Sequence, residues 1–550
     1  MKQKDLTFFF CIIWALTLLY GEMLAYWLPS IETCSWPHFK VQTNNDSYQN
    51  DYVKVAVITD PQLTDKTSLR VPEKSLALKL VNFYTDLNMR RSFFSSILPF
   101  KPDVILFLGD YFDGGPHLSD EEWKESFNRF KHIFGLNAQG KYNDKQVYFI
   151  SGNHDIGYES LHYAKPKVIG RYEETFGIRN YKFTVGKVDF IAVDAQMLDG
   201  HPQKHLTSQV WEFVKNISVD NVIHPRVLLT HIPLYRPDGT YCGPDRSYPI
   251  INQAIDRAAY DKSGDIIYQN YVSKKSSKYL LDTIKPKLIL SGHDHDQCTI
   301  THQSKSGPVK EHTLGTISMK QGNLYPSFML LSVDNSTLRN ASILQEPLLT
   351  HLCYLPKQLH IYIWYIVLFG FTLLALLFWP TSSTSFWYQC WNLTGRFKQL
   401  IASIVSRNET KEKDEDPNYE YETMWDAEGS MHLIKKPLKA SASNSNERSL
   451  GERGNVLMRP TARKNTGQEG DLSMDMASSI APDSLARIPP RTGKSRTTVI
   501  IQRLLRTLRM LTVIAAVNVS LYMMLLFKDY QTSNATFSSL LRLFYSYIDF

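Results

Sequence analysis

Five apolar, strand-like stretches of the chain each end in side chains of the types that bind metals. The stretch LILSG (288–292) is followed by His293 and His295, and LLT (228–230) is followed by His231. The other three stretches end in Asp60 and Gln62, in Asp110 and Asp113, and in Asn153, His154 and Asp155. In open α/β sheets such strand ends gather ligands at one edge. Turn chemistry would explain any one of them, but their recurrence in one domain predicts a shared metal site.

The mixture of ligand types predicts divalent first-row ions. Carboxylate, amide oxygen and imidazole without thiolate favour Mn, Fe or Zn over copper(I) or an iron–sulfur cluster. A calcium or magnesium cage built from oxygen atoms would not need three histidines. The ligand inventory suits two divalent ions of this kind.

The strands that carry these residues alternate with helix-like segments between residues 52 and 345. Apolar runs at 53–59, 103–109, 146–151, 187–194, 226–230 and 287–292 predict strands that are covered on both faces. Helical spacing predicts helices at 76–98 and 119–134, and Ser119 with Glu122 forms a capping box for the second. Residues 311–345 have no helix-like segment and predict added strands. The expected fold class is α/β, with two packed sheets.

Three long apolar runs, at 8–28, 361–379 and 510–527, predict membrane spans around this domain. A helix of about 17–25 apolar residues crosses the hydrocarbon core of a bilayer. The first run is longer than the apolar part of a signal peptide, and no small-x-small cleavage site follows it. An uncleaved anchor is therefore favoured over a cleaved leader. Asn518 and Ser520 make the third run the weakest of the three.

Positive charge predicts the orientation of the chain. Residues 485–509 carry seven Lys or Arg and no acid, which equals the net charge of +7 of the whole chain. Such a cluster beside a span marks the cytosolic side. A nucleic-acid-binding arm is the disfavoured alternative, so no nucleic-acid partner is expected. The predicted order is an N-terminal anchor (1–29), a lumenal domain (30–357), a span (358–380), a cytosolic loop (381–509), a third span (510–528) and a short tail (529–550).

The composition of the loop predicts that most of it is disordered. Residues 409–422 are mostly charged, and 438–485 are rich in Ser, Asn, Arg and Gly. Neither stretch can bury much apolar area.

Cysteines and glycosylation acceptors agree with a lumenal domain. Cys34, Cys242, Cys298 and Cys353 are an even number in a compartment that permits disulfides. Of three pairings, Cys34–Cys353 and Cys242–Cys298 are predicted, with free thiols as the alternative. Acceptor tripeptides for N-linked glycans begin at Asn45, Asn216, Asn335 and Asn340.

The strand-end motifs resemble those of the calcineurin-like metallophosphoesterase superfamily and come in its order. The motifs are Asp60-x-Gln62, Gly109-Asp110-x-x-Asp113, Gly152-Asn153-His154-Asp155, Thr230-His231 and Gly292-His293-x-His295. The stretches DPQL, GDYFDGGPHLSDEEW, GNHDIGYE, THIPLYR and CYLP are similar to the membrane-bound metallophosphoesterase 1 branch, over about residues 30–380. The resemblance implies a four-layer α/β/β/α sandwich flanked by transmembrane helices.

The resemblance also implies the ligands of two metal ions. One ion would be held by Asp60, Gln62 and His295, and the other by Asn153, His231 and His293, with Asp110 bridging both. The superfamily usually has His where Gln62 stands, and a neutral amide oxygen binds less strongly. Mn²⁺ is therefore expected, with Zn²⁺ or Fe as alternatives. Water in place of Gln62 is the other interpretation of that residue.

The same resemblance implies a hydrolase whose two cations activate a hydroxide for attack on phosphorus. His154 would act as general acid toward the departing alkoxide. Asp113 and Asp155 would orient their neighbours rather than bind metal. Arg236 and Tyr241, in the loop after His231, would contact the phosphate or a glycan.

The implied function is a membrane-anchored lumenal phosphodiesterase that removes ethanolamine-phosphate from the glycan of glycosylphosphatidylinositol (GPI) anchors. Its substrate would be a GPI-anchored protein or a lipid-linked glycan, during anchor remodelling and transport from the endoplasmic reticulum (ER) to the Golgi. The expected location is the ER membrane, its exit sites or the early Golgi. The alternatives are a phosphomonoesterase or protein phosphatase of the same fold, and a non-catalytic trafficking adaptor.

Overall fold

The computed structural model describes residues 3–39, 52–72, 75–137, 142, 145–220, 222–247, 258–262, 264–335, 346–379, 419–425, 431–437 and 496–531. The chain divides into two compact units. The first comprises Met1–Leu377 with Gln502–Phe550, and the second comprises Phe378–Ile501.

The strands and helices follow the alternation that the sequence predicts. In chain order the strands are β1 (Tyr52–Ile58), β2 (Val104–Phe107), β3 (Gln146–Phe149), β4 (Tyr181–Val185), β5 (Val188–Ala192), β6 (Arg226–Leu229), β7 (Ala258–Tyr260), β8 (Ile266–Gln269), β9 (Leu288–Ser291), β10 (Cys298–Ser304), β11 (Gly307–Thr313), β12 (Ser327–Asp334), β13 (Leu348–Tyr354), β14 (Tyr419–Trp425) and β15 (Met431–Pro437). The α-helices are α1 (Gln3–Leu19), α2 (Ala25–Leu28), α3 (Leu76–Arg91), α4 (Asp120–Phe134), α5 (Asn153–Ile156), α6 (Glu159–Ala164), α7 (Lys167–Phe176), α8 (His205–Val219), α9 (Lys274–Ile284), α10 (Gln358–Phe378) and α11 (Arg496–Gln531). The predicted capping box of α4 is confirmed, since Ser119 and Glu122 each bond the backbone of the other.

Two mixed sheets form the centre of the first unit. One has the strand order β13-β12-β1-β2-β3, and the other has the order β10-β11-β9-β6-β5-β4. Strands β1, β2 and β3 run parallel to one another, as do β5, β6 and β9. Antiparallel β12 and β13 extend the first sheet, which confirms the added strands expected after residue 311.

Alternation of side chains along the strands builds four layers. Val55 and Val57 of β1 share one buried cluster with Val227 and Leu229 of β6, so this cluster fills the space between the sheets. On the opposite face of the first sheet, Phe107 packs edge-on against helix α4. Residues of α8 and α9 belong to the same outer cluster as the alternate residues of β5, β6 and β9. The predicted α/β/β/α sandwich is confirmed.

Within the described residues, three helices are long and apolar enough to cross a membrane: the first span (Gln3–Thr33), the second span (Gln358–Phe378) and the third span (Thr497–Asp529). The protein is accordingly a membrane protein. The third helix starts at Arg496, well before residue 510, and the start of the span at 510 stays a prediction. Apolar residues continue between the arginines of 496–509, so the basic segment keeps a helical pattern.

The second unit holds a two-stranded antiparallel sheet, β14–β15. The prediction of disorder for 409–422 is therefore wrong for 419–422, where aromatic and polar residues alternate as a strand requires. The rest of 409–422 and the whole of 438–485 lie outside the described residues.

Both predicted disulfides are present. Cys34 pairs with Cys353 across a Cα–Cα distance of 5.6 Å, and Cys242 pairs with Cys298 across 4.5 Å. Asn216 and Asn335 are exposed, as glycosylation would require. Asn45 and Asn340 lie outside the part of the chain that the structure describes.

Candidate metal centre

The seven predicted metal ligands converge on the edge of the sandwich where the parallel strands end. Two groups of three ligands form there, with the ligand atoms of each group within 4.8 Å of one another. One group is Asp60, Asp110 and His295, and the other is Asp110, His231 and His293. Asp110 belongs to both groups, so the geometry suits two ions with a bridging carboxylate.

The second group is also tied to Asn153. The Nδ1 atom of His293 lies 2.7 Å from the Oδ1 atom of Asn153, and His293 Nε2 lies 3.0 Å from the carbonyl oxygen of Gln269. His231 Nε2 lies 3.2 Å from Asp110 Oδ2. The arrangement therefore places an amide oxygen beside the imidazoles, as the sequence predicts.

His231 carries the clearest sign that these residues fit a cation. Its Nδ1 donates a hydrogen bond of 2.7 Å to the carbonyl oxygen of Leu108, so Nε2 is the nitrogen that faces the ligand group. This Nε2 is fully buried and lies 3.2 Å from Asp110 Oδ2 and 3.9 Å from Asp60 Oδ1. A divalent cation between His231 and these carboxylates would take the place of the proton that Nε2 shares with them in the metal-free protein.

Backbone strain is concentrated at the same residues. Positive φ angles occur at seven non-glycine residues of the described chain: Asp60, Gln62, Lys101, Asp110, Lys285, His293 and His295. Five of the seven are predicted metal ligands. Such angles cost about 1–3 kcal/mol each and persist only where the surrounding structure enforces them. Their concentration at the predicted ligands therefore indicates a functional site.

Two glycines allow the ligand loops to approach closely. A Cβ atom at Gly152 would lie 2.1 Å from Asp110 Oδ1, and one at Gly292 would lie 2.8 Å from Asp60 Oδ2. A side chain at either position would therefore displace a ligand carboxylate.

Residues 53–297 match the family model described as calcineurin-like phosphoesterase. These residues form a calcineurin-like phosphoesterase domain. The chain is 28% identical over 371 residues to Cell division control protein 1 of Saccharomyces cerevisiae, and the matched region covers 64% of this chain and 69% of that relative. It is 26% identical over 363 residues to Metallophosphoesterase 1 of Danio rerio, and the matched region covers 62% of this chain and 83% of that relative.

Among solved structures, a phosphopantetheinyl hydrolase from Mycobacterium tuberculosis is 13% identical, covers 49% of this chain and 92% of its own, and has a TM-score of 0.26. The family match, the membrane-spanning helices and the ligand geometry together make the chain a membrane-bound phosphoesterase of the metal-dependent class.

Gln62 lies inside the phosphoesterase site, but with its amide nitrogen toward the ligands. Its Nε2 lies 3.0 Å from Asp110 Oδ2 and 3.0 Å from His295 Nε2. To bind a cation, the amide would have to turn its oxygen inward. Its role as a metal ligand stays a prediction, as does the alternative of a water in its place.

His154 is placed beside the ligands without joining them. Its backbone N–H donates to Asp110 Oδ1 at 2.8 Å, its Nδ1 contacts the carbonyl oxygen of Asp113, and its side chain is 37% exposed. The carboxylate of Asp113 pairs with Lys320, and its Oδ1 lies 3.9 Å from His154 Nδ1. The backbone carbonyl of Asp113 is the closer contact, so it is the main group that orients His154. No pattern in the sequence indicates a role for Lys320.

Asp155 holds the backbone around Asp110. Its carboxylate accepts hydrogen bonds from the N–H groups of Asp110 and Tyr111, both at 2.8 Å, and of Gly152 at 2.9 Å. This matches the predicted supporting role and explains how Asp110 keeps its strained conformation.

Arg236 corrects the sequence analysis, because it is not placed to contact a substrate. Its side chain is fully buried, with Nη1 3.3 Å from Asp294 Oδ2. Arg246 binds the same carboxylate at 2.8 Å. Asp294 lies between His293 and His295, so the two arginines fasten the loop that carries those ligands. Tyr241 is exposed, and its contact with substrate stays a prediction.

The charged groups of the site shift one another's pKa values. Burial opposes the charge of Asp110, but His231 and His154 hold the pKa of Asp110 well below its usual value. Burial also opposes a proton on His231, but Asp110 and Asp60 raise the pKa of His231 to about 9. The metal-free protein therefore keeps His231 protonated at neutral pH.

This shift predicts that metal binding releases a proton. A cation binds only the neutral imidazole, so at pH 7.5 Mn²⁺ should displace about one proton from His231 and its affinity should rise as pH rises toward 9. Titration calorimetry in two buffers of different ionisation enthalpy measures the proton count. His231→Asn should abolish the release, and a wild-type count near zero would contradict a protonated His231 in the metal-free protein.

Proposed function

We propose that this protein is a lumenal phosphodiesterase that removes ethanolamine-phosphate from GPI glycans in the membrane of the ER, its exit sites or the early Golgi. The observation that carries the proposal is the pair of ligand groups sharing Asp110 in a domain whose sequence is similar to proteins named Metallophosphoesterase 1. The two disulfides support an oxidising compartment. A span on each side of the domain supports a substrate that is itself bound to the membrane.

The chain's own residues account for positioning and proton transfer in such a reaction. Two divalent cations, when bound, supply an activated water and neutralise charge on the phosphate oxygens. His154 Nδ1 faces a carbonyl, which can only accept, so this nitrogen carries a proton. The Nε2 of His154 then holds a transferable proton only in the imidazolium form. Burial opposes that form, but Asp110 and the Asp113 carbonyl raise the pKa of His154, which favours a general acid.

The class of phosphoester is tested with purified full-length protein in detergent. With Mn²⁺ added, bis(p-nitrophenyl) phosphate should be hydrolysed faster than the monoester p-nitrophenyl phosphate. Preference for the monoester would favour a phosphomonoesterase. Absence of turnover in both assays, with metal bound, would favour the non-catalytic adaptor.

The natural substrate is tested in cells that lack the gene. Their GPI glycans should retain an additional ethanolamine-phosphate, as measured by mass spectrometry, and the wild-type chain should remove it. The Asp110→Asn variant should not, because it loses the carboxylate shared by both ligand groups. Unchanged glycans in the deleted cells would refute this substrate, and rescue by Asp110→Asn would refute catalysis as its cause.

A further inference from the structure

A cavity of about 700 Å³ lies between the three spans and helix α3. Its wall is formed by Leu18 of the first span, Phe369 of the second, Ala515 and Val519 of the third, and Leu80 of α3, among others. The volume lies within the range of about 300–1,000 Å³ that is usual for ligand pockets. The phosphoesterase ligands are not part of this wall, so the cavity is a second site.

The polar groups of the cavity are mostly satisfied by the protein itself. Glu22 accepts a hydrogen bond of 2.9 Å from Tyr365 and pairs with Arg91, and the Trp14 indole N–H donates to Thr372 at 3.1 Å. What remains for an occupant is a surface of aliphatic and aromatic side chains. Such a surface excludes ions and free sugars, which would lose their hydration without gaining partners.

One polar atom of a residue in the wall, the amide oxygen of Asn518, accepts no hydrogen bond from the described residues. Asn518 lies in the middle of the third span and is 6% exposed, and its Oδ1 has no hydrogen-bond partner among the described residues. Polar side chains within a span mark functional positions by default. A hydroxyl or amide of a lipid backbone would supply the missing donor.

A short segment connects the cavity wall with the metal centre. The hydroxyl of Thr316 donates 2.6 Å to the backbone carbonyl of Asp60, and Lys320 pairs with Asp113 beside His154. Met319, between them, lies in the cavity wall. Three residues span at most about 11 Å even when fully extended. The backbone of Met319 in the wall is therefore within about 11 Å of Thr316, which bonds the backbone of Asp60.

We propose that this cavity binds the hydrocarbon chains of the lipid-linked phosphodiester substrate while the phosphoester reaches the metal centre. The inference rests on the proposed phosphodiesterase activity and extends it. The three spans bring the lipid phase to the cavity, and α3 and the segment 316–321 connect it to the chemistry. A hydrocarbon chain gains little free energy when it leaves other lipid chains for the cavity. Its binding would instead aid catalysis by positioning, since a substrate whose hydrocarbon chain is held in the cavity keeps its phosphoester near the metal centre.

The test compares two diesters that release the same p-nitrophenolate, hexadecyl p-nitrophenyl phosphate and ethyl p-nitrophenyl phosphate. Ala515→Trp places a large side chain in the cavity, whereas Ala516→Trp places the same side chain at the neighbouring position, which is not part of the wall. With Mn²⁺-loaded full-length protein, Ala515→Trp should lower kcat/KM for the hexadecyl diester by at least about tenfold and leave the ethyl diester unchanged. Ala516→Trp should change neither.

Two results would overturn the proposal. One is an equal kcat/KM for the hexadecyl diester in Ala515→Trp and Ala516→Trp, and the other is an equal fall in kcat/KM for both diesters in Ala515→Trp. Loss of co-purifying phospholipid from Ala515→Trp without loss of hexadecyl turnover would show a structural lipid instead. If the wild type cleaves neither diester, the proposed function fails first. A second pair, Val519→Phe in the wall and Val517→Phe outside it, replaces the tryptophan pair if Ala515→Trp unfolds at a lower temperature.

Discussion

Replacing His154 with alanine should lower kcat for a phosphodiester by about 10²–10⁴-fold, the usual contribution of a general acid. The imidazole lies beside the ligand group but donates to the Asp113 carbonyl rather than offering Nδ1 to a cation. The variant should therefore retain its full metal content, measured by elemental analysis of the purified protein. The matched control is His205→Ala, an exposed histidine at the start of α8 that should leave both quantities unchanged.

The pH profile separates proton transfer from a merely structural effect of this substitution. A general acid works in its protonated form, and the pKa of His154 is raised above its ordinary value. Wild-type activity should therefore fall as pH rises through this raised pKa, and the alanine variant should lack that fall. Loss of metal in the variant, or an unchanged alkaline limb, would show that His154 supports the ligands instead.

Replacing Arg91 with methionine should destabilise the protein by about 3–5 kcal/mol, because it removes one partner of a buried ion pair. The guanidinium of Arg91 is 2% exposed and pairs with Glu22 of the first span and, at 2.7 Å, with Asp529 of the third. Without it, the carboxylate of Glu22 would face apolar surroundings with only the hydroxyl of Tyr365. Thermal unfolding in a mild detergent measures the change as a fall in Tm.

A double variant tests whether the cause is the unpaired charge. Glu22→Met together with Arg91→Met removes both charges of the pair and should recover part of the lost stability, since the buried Glu22 carboxylate is no longer left alone. The recovery is partial because Asp529 loses Arg91 in both variants. Additive losses in the double variant would mean that Arg91 acts through its packing against Tyr26 rather than through the ion pair.

The sequence was sufficient to predict the sandwich and the identity of the site. Near-continuous apolar runs and strand-end polar residues are local patterns, so β1, β2, β3, β6 and β9 appear within a few residues of their predicted bounds. The convergence of their ends then follows from parallel topology, which the sequence indicates through intervening helices.

The details that escaped prediction depend on partners far away in the chain. Arg236 was expected at the substrate because it follows a ligand motif, yet Asp294, 58 residues later, draws it into the interior. Lys320 joins the site only because β11 and β12 return the chain to Asp113. Neither pairing leaves a periodic signal, since each depends on tertiary structure alone.

The start of the third helix shows a different limit of prediction from sequence. Hydropathy locates the apolar run, but the start of the helix depends on backbone hydrogen bonds, which continue through the arginines to residue 496. Charged residues on a helix can extend to the interface while their stems remain among apolar neighbours.

The Cys34–Cys353 disulfide joins residues just outside the first span and just before the second. The disulfide therefore closes the chain from Cys34 to Cys353, which includes the phosphoesterase domain, into a covalent ring. The first and second spans are both attached to this bond, so they cannot separate at this end unless the disulfide opens.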